Sequence, residues 1–86
     1  VSLTELQAVA LVAVLDHYQR YGWPSDYRAL HAATGRSQYG MQRTMASLVK
    51  RDLVRKLTFG GRVEFAPTER ARRLLGEPVD GGPVPS

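Results

Sequence analysis

The sequence has no cysteine and only two histidines among its 86 residues. Thiolate zinc sites, disulfide staples and cysteine nucleophiles are thereby excluded. His17 and His31 have no second ligand at helical spacing, so both read as packing or surface side chains rather than metal ligands or bases. The sequence contains no glycine-rich phosphate loop, nucleophile elbow or paired-carboxylate arrangement, so neither enzyme activity nor a cofactor is expected. The longest unbroken apolar run, Ala8 to Leu15, is eight residues, far short of the roughly 18 to 20 that a membrane span needs. No charged segment followed by an apolar stretch and a small-residue cleavage site opens the sequence, and the expected compartment is the cytoplasm.

What the sequence does have is positive charge, unevenly placed. Twelve Lys and Arg stand against eight Asp and Glu, and residues 36 to 73 hold ten of the basic side chains but only three acidic ones. Such a block in so small a chain is the electrostatic footprint of a polyanion binder. A chain this short buries only about 60% of its unfolded surface, so one small core is expected.

Local signals divide the chain. Thr4 and Gln7 have the spacing of a capping box, opening a helix from about Glu5 to Tyr21 that Gly22 and Pro24 end. Ser25 or Asp26 caps a short second helix closed by Gly35, and Ser37 caps a third, from Gln38 to about Arg51, which Asp52 ends in a left-handed conformation. Apolar residues then alternate in Val54 to Phe59 and Arg62 to Ala66, on either side of Gly60-Gly61, a hairpin signal. A three-residue loop, pairing Phe59 with Val63 and Leu57 with Phe65, would gather the four apolar side chains on one face, and that register is expected. Thr68 caps a last helix, Glu69 to Leu75, whose Arg70, Arg72 and Arg73 offset the helix dipole. Residues 76 to 86, with three Gly and three Pro, read as a disordered tail beyond a domain of residues 1 to 75.

The expected fold is thus mainly α with a small β-hairpin, in the order α-α-α-β-β-α: a three-helix core plus a two-stranded wing, with the second and third helices joined by a short Gly-containing turn. That is a helix-turn-helix followed by a wing. The segments Leu30 to Ser37, Leu48 to Val54 and Pro67 to Leu75 together resemble the winged helix-turn-helix of MarR-type bacterial regulators. Leu3 to Gln7 with Gly22-Trp23-Pro24 is similar to the opening of the LexA repressor's DNA-binding domain. The resemblance spans about residues 3 to 75 and implies duplex DNA binding. It departs from the families' usual pattern at His31, Ala33, Arg36 and Asp52, and it carries no small-molecule effector with it.

The third helix supports that function from its own periodicity. Met41, Met45, Leu48 and Val49 fall on one side and belong to the core, while Tyr39, Arg43, Ala46 and Lys50 lie opposite, with Gln42 and Ser47 beside them. Gln38, Tyr39, Gln42, Arg43 and Ala46 form a base-reading set: Arg suits guanine O6 and N7, Gln suits adenine N6 and N7, and Ala admits close approach. Gly40 is expected to permit close contact with the second helix or with a phosphate. Backbone contacts are expected from Ser25, Arg28, Arg36, Ser37, Ser47 and Lys50, and from Arg55, Lys56, Thr58 and Arg62 of the wing.

The first helix is apolar on more than one side. With Leu11, Val14, Leu15 and Tyr18 inward, Leu6, Val9, Val12 and Ala13 need a second partner, and a symmetric contact between two copies is the expected answer. Trp23 and Tyr27 are expected to pack on the core or on the helices. The function expected overall is sequence-specific binding of double-stranded DNA, as a transcriptional regulator or an accessory factor of a mobile element. The alternative is a winged-helix module that contacts protein within a transcription or replication assembly.

Overall fold

A computed structural model describes residues 2–74. Leu75 and the tail expected over residues 76 to 86 lie outside the described residues. The chain is mainly helical with a small antiparallel three-stranded sheet. In order its elements are α1 (Glu5–Tyr21), β1 (Ser25–Asp26), α2 (Tyr27–Thr34), α3 (Gln38–Lys50), β2 (Val54–Phe59), β3 (Arg62–Pro67) and α4 (Glu69–Leu74), and the strands lie in the order β1-β3-β2. No helix among the described residues is long and apolar enough to cross a membrane.

The helix ends follow the local chemistry. The Gln7 N–H donates to Thr4 Oγ1 and the Thr4 N–H to Gln7 Oε1, each at 3.1 Å, closing the capping box, and Gly22 ends α1 at φ 80°. Asp26 caps α2 by accepting from the Ala29 N–H at 2.8 Å, and Ser37 caps α3 by accepting from Gly40. Asp52 stands at φ 62°. The Leu53 N–H reaches the Leu48 carbonyl and the Asp52 N–H that of Val49, the paired bonds of a Schellman stop. Thr68 Oγ1 then donates to the Asp52 carbonyl at 2.8 Å and accepts from the Ala71 N–H, so one hydroxyl both caps α4 and ties it to the end of α3.

The core is one cluster. Ala10, Leu11, Val14 and Leu15 of α1 meet Leu30 of α2, Met41, Met45 and Leu48 of α3, and Leu53, Val54, Phe65 and Ala71 beyond them. Tyr18, expected inward, is half-buried. Tyr27 packs its ring edge-on against Phe65 at 5.3 Å, and burial pushes its phenol above the usual tyrosine range because the charged form is desolvated.

Two expectations about the sheet are corrected. The wing was expected to have two strands, but β1 adds a third, pairing Ser25 with Phe65 and Asp26 with Glu64. The hairpin loop has two residues, not three: Phe59 pairs with Arg62, Leu57 with Glu64 and Lys56 with Phe65. Gly60 and Gly61 both have positive φ, 50° and 86°, the demand of the tight I′ turn whose twist matches that of the strands. Turn stereochemistry therefore sets the register, and the apolar side chains divide between faces. Val54, Phe65 and Pro67 are buried against the helices, and Leu57 and Phe59 stand on the other face.

Candidate nucleic-acid interface

The floor of the site is the buried side of α3, where Met41, Thr44, Met45 and Leu48 are sealed against α1 and the sheet. Packing so complete fixes the helix about its own axis. The opposite side is open: Gln38, Tyr39, Gln42, Arg43, Ala46 and Lys50 are all exposed, Tyr39 at 81%. The five residues expected to read bases therefore form one continuous surface with Lys50. Among the described residues Arg43 and Lys50 form no ion pair.

The turn of residues 35 to 37 sets the angle at which α3 leaves α2, and it is held from both ends. His31 Nδ1 donates to the Arg36 carbonyl at 2.8 Å. Thr34 Oγ1 donates to the Leu30 carbonyl and accepts from the Arg36 N–H. This is the work of His31, and among the described residues no group of three metal-ligating side chains forms around either histidine. Arg28, Arg36 and Ser37 are exposed beside the turn or on the first turn of α2, with both guanidinium groups unpaired among the described residues.

Three expected contact residues are placed differently. Ser25 is only 1% exposed, because its strand turns it into the core, where its hydroxyl finds no partner among the described residues. Its side chain is therefore not on the surface where a phosphate contact was expected. Ser47 is half-buried on the α1 side of α3 and accepts from Gln7 Nε2 at 2.8 Å, so its hydroxyl braces the two helices together. Gly40 is not demanded by packing against α2: a Cβ there would meet only Ser37 Oγ, at 3.7 Å.

The hairpin divides its expected contacts. Lys56 and Thr58 are exposed on the sheet face that packs on the helices, whereas Arg55 and Arg62 stand on the other face with Leu57 and Phe59. Arg55 and Lys56 form no ion pair among the described residues, but Arg62 lies 3.5 Å from Asp26 and 3.2 Å from Glu64. Asp16 and Glu69 are likewise joined to Arg20 and Arg73. Much of the negative charge is thus spent away from α3. Among the described residues the cations without an ion pair include Arg28, Arg36, Arg43, Lys50, Arg55 and Lys56, on α2, the turn, α3 and β2, and also Arg70 on α4.

On α1, Val9 and Val12 are 44% and 53% exposed, while Leu6 and Ala13 are half-buried and Ala13 packs against the core. A groove lined by Val12, Ala13, Asp16 and Ala33 follows the seam between α1 and α2 and continues to His17, Tyr21 and Trp23. Trp23, expected to be packed away, is 60% exposed and stacks on Tyr21 with ring centres 5.9 Å apart. Its position between Gly22 and Pro24, just past the helix stop, was the available signal that it leaves the helical packing. No known protein family, curated protein or solved structure matches the chain.

Proposed function

We propose that the chain is a winged helix-turn-helix protein that binds double-stranded DNA with sequence preference, as a transcriptional regulator or an accessory factor of a mobile element. One observation carries the reading: the exposed side of α3 gathers an unpaired guanidinium, two glutamines and a small alanine over a fully buried floor. In this reading α3 lies in the major groove, Arg43 pairs with guanine O6 and N7, and Gln38 or Gln42 pairs with adenine. Arg28, Arg36, Lys50 and Lys56 neutralise phosphates at the edges. No cofactor, catalysis or small-molecule effector enters the proposal, and a cytoplasmic location accompanies it. Two copies join through the exposed Val9 and Val12 of α1, giving a two-fold protein for a two-fold site. Under that arrangement the double substitution Val9→Glu with Val12→Lys halves the mass seen in sedimentation without unfolding the chain. A parent that is already monomeric at high micromolar concentration removes the dimer from the proposal.

The deciding test is selection of bound duplexes from a random library, followed by Arg43→Ala. A bidentate guanine contact is worth roughly 1 to 3 kcal/mol of discrimination. Arg43→Ala is expected to lose that much affinity for the selected duplex, lose less for random duplex, and relax one base pair per half-site. Lys50→Ala is expected to weaken both duplexes alike. Equal weakening by Arg43→Ala with no base relaxed would take sequence reading away from this helix.

A second reading has its own observation. The apolar seam between α1 and α2, with Trp23 exposed at one end, suits a protein partner, making the chain a winged-helix interaction module of a transcription or replication assembly. Salt separates the two. DNA affinity held by several phosphates falls steeply between low and moderate salt, and a contact with an apolar centre does not.

A further inference from the structure

The tip of the β2–β3 hairpin is inverted relative to ordinary expectation for a surface that meets a polyanion. Its cation is occupied: Arg62 lies between the carboxylates of Asp26 and Glu64. Its cross-strand partner Phe59 is 58% exposed, belongs to no buried cluster and contacts no other ring among the described residues. The two glycines that follow add no side chain, and a Cβ at either would meet nothing within 4 Å, so the turn itself is bare backbone and the last side chains on either side of it are the Phe59 ring and the ion-paired Arg62.

The reach of the tip suits a groove. Val63, paired with Thr58, is the residue nearest the tip that still packs against the core, and Phe59 lies one residue farther along β2. At about 3.3 Å per residue its backbone stands about 3 Å past that contact, and the exposed ring and the two-glycine turn carry the tip beyond it. A minor groove is about 7.5 Å deep and about 6 Å wide, which admits a side-chain-free turn but not a bulky one. Apolar rings that enter a minor groove wedge between base pairs where stacking is weakest, at pyrimidine–purine steps.

We infer that Phe59 is a specificity-determining residue of this chain: the hairpin tip enters the minor groove beside the α3 site and presses the Phe59 ring against a deformable TpA or CpA step, bending the duplex. Arg62 keeps its two carboxylates and makes no phosphate contact. It holds the tip against the start of α2 and so positions Phe59. The inference rests on the DNA-binding reading and adds to it a shape-dependent source of sequence preference that α3 does not supply.

The probe is a set of end-labelled duplexes recovered by selection, together with copies in which every TpA and CpA step outside the α3 half-site is replaced by G·C steps. Affinity and the energy transfer between the two ends are measured for the parent chain and its variants. Phe59→Ala is expected to melt with the parent, to lose about tenfold in affinity for the selected duplex, on the scale of one aromatic contact, and to lengthen the end-to-end distance in the complex. Phe59→Leu, still an apolar wedge, is expected to keep most of both, and the G·C copies are expected to erase the difference between parent and Phe59→Ala. If Phe59→Ala binds and bends as the parent does while Arg43→Ala loses the selected site, the wedge is overturned and the α3 reading stands. If the parent binds no duplex, both fall together.

Discussion

The exposed side of α3 and the outer face of the hairpin are both polar surfaces over buried cores, yet they are built by opposite rules. On α3 the cations form no ion pair among the described residues and the aliphatic side chains Met41, Met45 and Leu48 are buried beneath Arg43 and Lys50, with the Tyr39 ring alone of the large apolar groups exposed beside them. At the hairpin tip Arg62 is held by two carboxylates and Phe59 is exposed, while Arg55, farther back on the same face, forms no ion pair among the described residues. Local positive charge in a sequence therefore does not equal available positive charge. What decides is whether an acid lies within reach, and β1 delivers Asp26 to the hairpin but nothing comparable to α3.

The contrast can be broken most severely from beneath. Leu48 is fully buried under the α3 face, and Leu48→Ala is expected to cost about 3 kcal/mol of stability, with every binding property lost together. Urea unfolding followed by circular dichroism measures it. A loss below about 1 kcal/mol would mean that the floor is not rigid.

Gly40 offers a finer cut. Its φ is not left-handed and a Cβ there has room, so Gly40→Ala is expected to raise stability by roughly 0.5 to 1 kcal/mol. If α3 lies against a groove, the same methyl group crowds that approach, and duplex affinity falls while the melting temperature rises. Stability and affinity rising together would show that no close approach occurs at this residue. Ser25→Ala, which removes a buried hydroxyl that has no partner among the described residues, is expected to stabilise by about 0.5 kcal/mol and leave duplex binding untouched. Thermal denaturation and a duplex titration, run side by side, separate these two glycine and serine effects.

The smallest expected effect distinguishes the two surfaces directly. Arg62 is largely exposed and its ion pairs are screened, so Arg62→Ala is expected to shift stability by no more than about 0.5 kcal/mol. Because the guanidinium is already engaged, the slope of log affinity against log salt should not change, whereas Lys50→Ala should lower it by about one. A slope reduced by Arg62→Ala would show the arginine leaving its carboxylates for a phosphate.

Helix limits and the buried side of α3 were readable from the sequence because they are fixed locally. A capping box, a glycine in the left-handed region and a 3.6-residue period each admit one solution, and Thr4, Gln7, Gly22, Ser37 and Asp52 are found in those roles. The hairpin register was not, since a two-residue and a three-residue loop both suit Gly60-Gly61. The appeal of gathering Leu57, Phe59, Val63 and Phe65 on one face favoured the wrong one. Strand β1 is two residues long and has no alternation to detect; it exists because Phe65 and Glu64 offer it an edge. The bond of Ser47 to Gln7 was hidden for a related reason: Ser47 lies at the margin of the polar face of α3, and its partner comes from 40 residues away.

One contact at the edge of the fold has a practical use. Arg51, the residue that ends α3, donates from Nη1 to the backbone carbonyl of Ser2 at 2.7 Å. The bond involves the main chain of residue 2 and leaves its side chain free to be changed. In a chain without cysteine, Ser2→Cys would create a unique thiol for a fluorophore. A dye attached there would sit one guanidinium away from the end of α3, where its emission would follow the helix being occupied.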